Sequence, residues 1–178
     1  MAQAARDVYT GTSTSVEIDC PPDVIGVERI MLAAQGDLQR LLSAFFARPI
    51  TIERIYAHTS EHDHAASPAR PITQTRQVHL TCAARVVCVA TSRVTLGSPA
   101  AARLFLDEQF AIGQLFRQLG RAPEFALRSV GTRVADGLRE LRRDYVLSTA
   151  EVQCEISEVF PDRDMFVLGE AWLGESDN

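Results

Sequence analysis

"ITQTRQVHLTCAARVVCVATSRVTL", residues Ile72 to Leu96, reads as two β-strands joined by a tight turn. Apolar and polar residues alternate with the period of two that a half-buried strand requires. The alternation covers roughly 73–82 and 86–96, with "AAR" at the join. On the first strand Val78, Leu80 and Cys82 define the apolar side, and Gln77, His79 and Thr81 the other. Arg76 shares the parity of Val78 and Leu80, so its cation is aimed at the interior. On the second strand Val87 and Val89 share parity with Thr91 and Arg93, and the same test turns Arg93 inward.

A third charge on an apolar side lies in "EVQCEISEVFP", Glu151 to Pro161. Val152, Cys154 and Ile156 fall on one face, and Gln153, Glu155 and Ser157 on the other. Glu158 takes the next position on the apolar side, with Phe160 beyond it. An unpaired charge taken out of water is costly, so such groups are paired or serve a ligand. Two readings stay open. One is an Arg–Glu ion pair that completes the fold. The other is a pocket in which Arg grips a carboxylate bidentately and Glu handles a proton or a hydroxyl.

Outward from these strands, residues 1–22 read as an irregular lead-in ending in "DCPPD". Asp23 to Ala47 reads as helical, broken at Gly36-Asp37, with Asp37 as N-cap of a second helix. "PITIERIYAH" (49–58) reads as a strand. The polar loop 59–71 is long for a compact domain and has the character of a lid. Ser98-Pro99 is a cap and first turn for a helical region in two pieces. "EFALRSVGTRVA" reads as a strand and "DGLRELRRD" as a polar turn or short helix. "YVLSTAEVQCEISEVFP" makes a closing hairpin that turns near Ser148–Glu151, and 167–178 is a polar tail. Helices followed by meandering strands predict an α+β fold with a largely antiparallel sheet.

The chain has 178 residues, which suits a single domain, 1–178, with a real core. Its net charge of −5 argues against nucleic acid as a partner. All 18 basic residues are Arg, so no lysine can form a Schiff base or serve as a general base. No apolar run is long enough to cross a bilayer, and no secretory leader is evident, which makes a cytoplasmic protein the expectation. Cys20, Cys82, Cys88 and Cys154 show no CxxC spacing and read as free thiols, mostly buried. His58, His62 and His64 lack a helix to align them, so no metal site is expected, and no nucleotide-binding glycine loop is present.

The order of four pieces resembles the chorismate lyase family (chorismate–pyruvate lyase, 4-hydroxybenzoate synthase). They are "RIMLAAQGDLQRLL", "TRQVHL", "FAIGQLF" and "ISEVFP", and together the resemblance covers roughly Arg29 to Phe160. It implies a six-stranded, mostly antiparallel sheet flanked by helices around an internal ligand pocket. By position, Arg76 matches the family's carboxylate-binding Arg and Glu158 its active-site Glu. Arg93 matches a second Arg of some members. Ile112 and Gly113 match a turn that approaches the ligand, and Leu38 a residue packed on the ring. The chain departs from the family in having Ala111-Ile112-Gly113 for Pro-Leu-Gly, "STAE" in the last turn, and no acid beside Ser92.

The activity implied is cofactor-independent conversion of chorismate to a hydroxybenzoate, 4-hydroxybenzoate first, and pyruvate, feeding secondary metabolism. Catalysis would fall to Glu158, Arg76 and Arg93, and binding to Arg76, Arg93, Ile112, Gly113 and Leu38. The partner would be a small aromatic or cyclohexadiene carboxylate, with the chain a monomer or homodimer. The alternatives are a cyclase or isomerase of the same fold acting on a larger natural product, and a non-catalytic binder of aromatic acids.

Overall fold

The computed structural model describes residues 3–60, 62 and 64–174. It opens with a hairpin, β1 (Ala5–Tyr9) and β2 (Thr14–Ile18), followed by helices α1 (Gly26–Leu32) and α2 (Leu38–Phe46). Strands β3 (Thr51–Thr59), β4 (Ile72–Cys82) and β5 (Arg85–Leu96) come next. A helical stretch follows: α3 (Pro99–Ala102), a π-helical turn (Arg103–Asp107) and α4 (Ile112–Gln118). Strands β6 (Glu124–Ala135), β7 (Leu138–Ser148) and β8 (Val152–Phe160) precede α5 (Asp164–Leu168) and α6 (Glu170–Gly174).

The fold is α+β, built on one six-stranded antiparallel sheet in the order β3-β4-β5-β8-β7-β6. Alternation decides which face is buried. On β4 the even-numbered residues from Ile72 to Cys82 point toward the helices, and on β8 the even-numbered residues from Val152 to Phe160 do the same. The opposite face carries Thr75, Gln77, Arg93, Glu155 and Arg142, a polar surface open to solvent, as antiparallel sheets allow.

The parity expected for the second strand of the opening hairpin is overturned. Register slips where Leu80 pairs with Cys88 but Thr81 pairs with Val86, so one residue of β5 is unmatched. Such a bulge reverses every side chain beyond it. Val87 and Cys88 are both fully buried, and from Cys88 onward the even-numbered residues face inward. Arg93 therefore lies exposed on the outer face, between Thr75 and Glu155 on the flanking strands.

Three other expectations are corrected. Residues 1–22 include the β1–β2 hairpin, tied to β6 by the Ala4 N–H donating to the Leu127 carbonyl at 2.8 Å. "DGLRELRRD" is the turn and first half of β7, not a helix. Asp136 and Gly137 adopt φ of 52° and 79°, the two left-handed positions of a tight hairpin turn. Leu141, Arg143, Tyr145 and Leu147 then alternate inward while the remaining charges face out. The polar tail is largely α5 and α6, and residues 175–178 lie outside the described ones. Glu61 and Asp63 of the expected lid also lie outside them; its described part buries Ala66.

Helices cover the inner face in two groups. α1, α2, α5 and α6 pack with Val78, Leu80, Leu141 and Phe160; α3, the π-helical turn and α4 pack with Val94, Leu96, Leu127 and Leu147. Arg163 staples the first group. Its guanidinium donates to both oxygens of buried Glu28, at 2.7 and 2.8 Å, and to the Asp23 carboxylate at 2.5 Å. Among the described residues no helix is long and apolar enough to cross a membrane.

Trp172 closes that group from the C-terminal end. It is buried near Phe46, its Nε1–H donates to Asp162 at 2.7 Å, and the Arg85 guanidinium sits 3.5 Å over its ring. Trp172→Ala is expected to lower stability by about 3–5 kcal/mol in urea unfolding. A loss below about 1 kcal/mol would show that α6 is not part of the cooperative core.

Candidate functional site

Between the two helical groups the inner face is left uncovered. The reason lies in the middle of the sheet, where β5 offers only Ala90 and Ser92 as inward residues. Their short side chains leave a cavity of about 550 Å³, within the range of small-molecule sites. Its walls are Ile52, Val78, Leu80, Ile112 and Ile156, with polar groups at a few points.

The register lays those polar groups out in two rows across the sheet. One runs Arg76, Ser92, Ile156, Tyr145; the next runs Val78, Ala90, Glu158, Arg143. The roof is the α1–α2 junction, Gly36 to Arg40, against the start of α4, Ala111 to Gln114. There the backbones cross tightly: a Cβ on Gly113 would lie 2.3 Å from the Gly36 carbonyl oxygen. Gly36 has φ of +92°, which also favours glycine. Leu38 is the first residue of α2 and lines the roof.

Arg76, Glu158, Ile112, Gly113 and Leu38 thus line one cavity, whereas Arg93 is on the far face of the sheet. Two residues missed in the sequence complete the polar floor. Arg143, fully buried, donates from Nε to Glu158 Oε2 at 2.7 Å. Its Nη1 donates to the Leu32 and Ala34 carbonyls, each at 2.8 Å. Tyr145 donates its hydroxyl to Glu158 Oε1 at 2.8 Å. The run Leu141, Arg143, Tyr145, Leu147 carried the signal as an alternating inward face interrupted by one cation.

The consequence is a division of labour between the two inward arginines. Glu158 is committed to Arg143 and Tyr145. Arg76, by contrast, has no ion pair among the described residues; its Nε, like Nη2 of Arg143, is buried without a hydrogen-bond partner. Its guanidinium stacks 4.5 Å over the Phe105 ring, which orients it without neutralising it. Burial lowers its pKa, and Arg54 nearby adds to the effect. Cys154 lies close, but burial pushes that thiol up to about 12, so no thiolate serves as counter-ion at neutral pH.

The other groups behave as the geometry requires. Burial and then the Glu158 charge push Tyr145 well above its ordinary value, so it stays a neutral donor. Burial alone would lower Arg143; the Glu158 charge and its hydrogen bond outweigh that, and the net direction is up. Counting the lining residues, Arg40, Arg54, Arg76 and Arg117 stand against Asp37 and Glu158. The cavity is therefore locally positive in a chain of net charge −5, an arrangement that attracts an anion. Among the described residues no group of three metal-ligating side chains converges.

Neither protein-family models nor curated proteins match this chain. The chemistry of the site therefore rests on its own residues: a largely aliphatic cleft, an uncommitted guanidinium on one wall, and a carboxylate held by two hydrogen bonds on the next row.

Removing Arg143 strands Glu158. Arg143→Met is expected to cost about 3–5 kcal/mol in urea unfolding, and the double variant Arg143→Met/Glu158→Leu to regain most of it. Additive losses would show that the two side chains do not act as a buried pair.

Proposed function

We propose that this chain is a cofactor-independent lyase that converts chorismate to a hydroxybenzoate, 4-hydroxybenzoate first, and pyruvate. The observation that carries the reading is Arg76: a half-buried guanidinium with no acid among the described residues, on the wall of a ring-sized apolar cavity. A planar carboxylate is the ligand group that matches such a fork bidentately. The ring carboxylate of chorismate sits on Arg76, and the cyclohexadiene ring lies between Ile112 and Leu38 on the roof and Val78 and Ile156 on the floor.

The reaction breaks the C4–H bond and the ether bond between ring C3 and the enolpyruvyl oxygen. The C–H electron pair completes the aromatic ring, and the ether electrons leave with the enolpyruvate oxygen. The proton ends on the methylene carbon of the departing group, giving pyruvate. Glu158 is the group placed to handle that proton or to orient the ring hydroxyl. Each of its oxygens accepts one bond, from Arg143 or Tyr145, and a carboxylate oxygen has a second lone pair to offer. Aromatisation supplies driving force, so positioning and charge neutralisation carry much of the catalysis.

The exposed arginines at the mouth, Arg40 and Arg117, favour a second reading, a cyclase or isomerase of a larger anionic substrate. Purified protein incubated with chorismate separates the two. The lyase reading expects pyruvate and hydroxybenzoate in equal amounts; folded protein that releases no pyruvate above background overturns it. Arg76→Ala is expected to weaken hydroxybenzoate binding by about 10- to 100-fold, the loss of a charged hydrogen-bonding group. Glu158→Gln is expected to bind but not turn over, and unchanged turnover would remove Glu158 from the mechanism.

A further inference from the structure

Arg93 was expected among the binding residues and lies on the wrong face of the sheet to be one. The cavity carries another cation on the inner face of the sheet, Arg54, exposed at its edge. Arg54 on β3 pairs with Val78, and the irregularity between Arg54 and Tyr56 brings Ala57 opposite Arg76. Arg54 and Arg76 are thus diagonal neighbours that both line the cavity, with Cα atoms about 7–8 Å apart by ordinary sheet geometry.

Among the described residues neither has an acid. The contact of Arg54 is neutral, its Nη1 donating to Gln109 Oε1 at 3.4 Å. The acids that line the cavity are occupied: Glu158 by Arg143 and Tyr145, and Asp37 by Arg40 at 2.8 Å. Two like charges therefore line one side of the cavity, Arg76 half-buried within it and Arg54 exposed at its edge, and Arg54 contributes to the lowered pKa of Arg76. Arg117 has another explanation, since it sits in the last turn of α4, where a cation suits the helix dipole. Gln109 is itself held in a left-handed conformation, φ 57°, in the segment leading into α4. Its amide N–H groups remain available to a second acceptor on the same ligand.

We propose that Arg54, with Gln109, is a second anion subsite, so that the pocket selects aromatic or cyclohexadiene dianions with one carboxylate on Arg76 and another acidic group on Arg54. The inference rests on the reading of the cavity as a carboxylate site. Within the lyase reaction, Arg54 receives the enolpyruvyl carboxylate, and release of pyruvate leaves a monoacid that the subsite no longer grips.

Calorimetric titration of the full chain with 4-hydroxybenzoate, a monoacid, and 3-(carboxymethoxy)benzoate, a diacid, tests this. The wild type is expected to bind the diacid more tightly. Arg54→Ala is expected to weaken the diacid by about 10- to 100-fold and the monoacid by less than about twofold, whereas Arg76→Ala weakens both. A wild type that does not prefer the diacid, or an Arg54→Ala that affects both acids equally or neither, overturns the subsite. If Arg54→Ala discriminates but chorismate yields no pyruvate, the subsite stands and the lyase reading falls. If pyruvate is made and Arg54→Ala leaves the KM for chorismate unchanged, the lyase reading stands and the subsite falls.

Discussion

Arg143 determines what the rest of the site can be. It is the largest fully buried side chain, and its guanidinium holds Glu158 with one nitrogen and the carbonyls of Leu32 and Ala34 with another. That one side chain joins the sheet floor to the end of α1 and to Ala34, two residues before Gly36 in the roof. It also satisfies Glu158, and so leaves Arg76 without an acid. A pocket whose own carboxylate had paired with Arg76 would be internally neutral and would have no call on a ligand anion.

The energetic logic follows from burial. Buried ion pairs seldom improve on apolar packing, so their persistence usually has another cause. Here the pair fixes a carboxylate at a defined place on the floor and anchors the roof beside it. Small residues complete the arrangement: Ala90 and Ser92 make the space, and Gly36 and Gly113 let two backbones meet over it. The Phe105 ring lies 4.5 Å from the Arg76 guanidinium and supports it from one side. Each of these devices costs stability or adds little, and together they are intelligible as the construction of a binding site.

Much of this was legible by parity. Arg76 and Glu158 were visible because β4 and β8 alternate without interruption through those positions. Arg93 was misread because a bulge near Val87 shifts the count by one, and nothing in "AARVVCVATSR" announces it except two adjacent buried residues, Val87 and Cys88. Arg143 was hidden by its neighbours: the outward charges of "LRELRRD" mask an inward face that alternates as well as any in the chain. Asp136-Gly137 was the hairpin signal that should have outweighed the polar composition. The lead-in hairpin and the docking of Trp172 depend on contacts with distant segments, which no local pattern reports.

The structure of the protein bound to 4-hydroxybenzoate tests the central claim most directly. The ligand carboxylate is expected within hydrogen-bond distance of the Arg76 guanidinium, roughly 2.7–3.2 Å, with Glu158 still held by Arg143 and Tyr145. A ligand whose carboxylate lies elsewhere, or an Arg76 that turns to pair with Glu158, would contradict it.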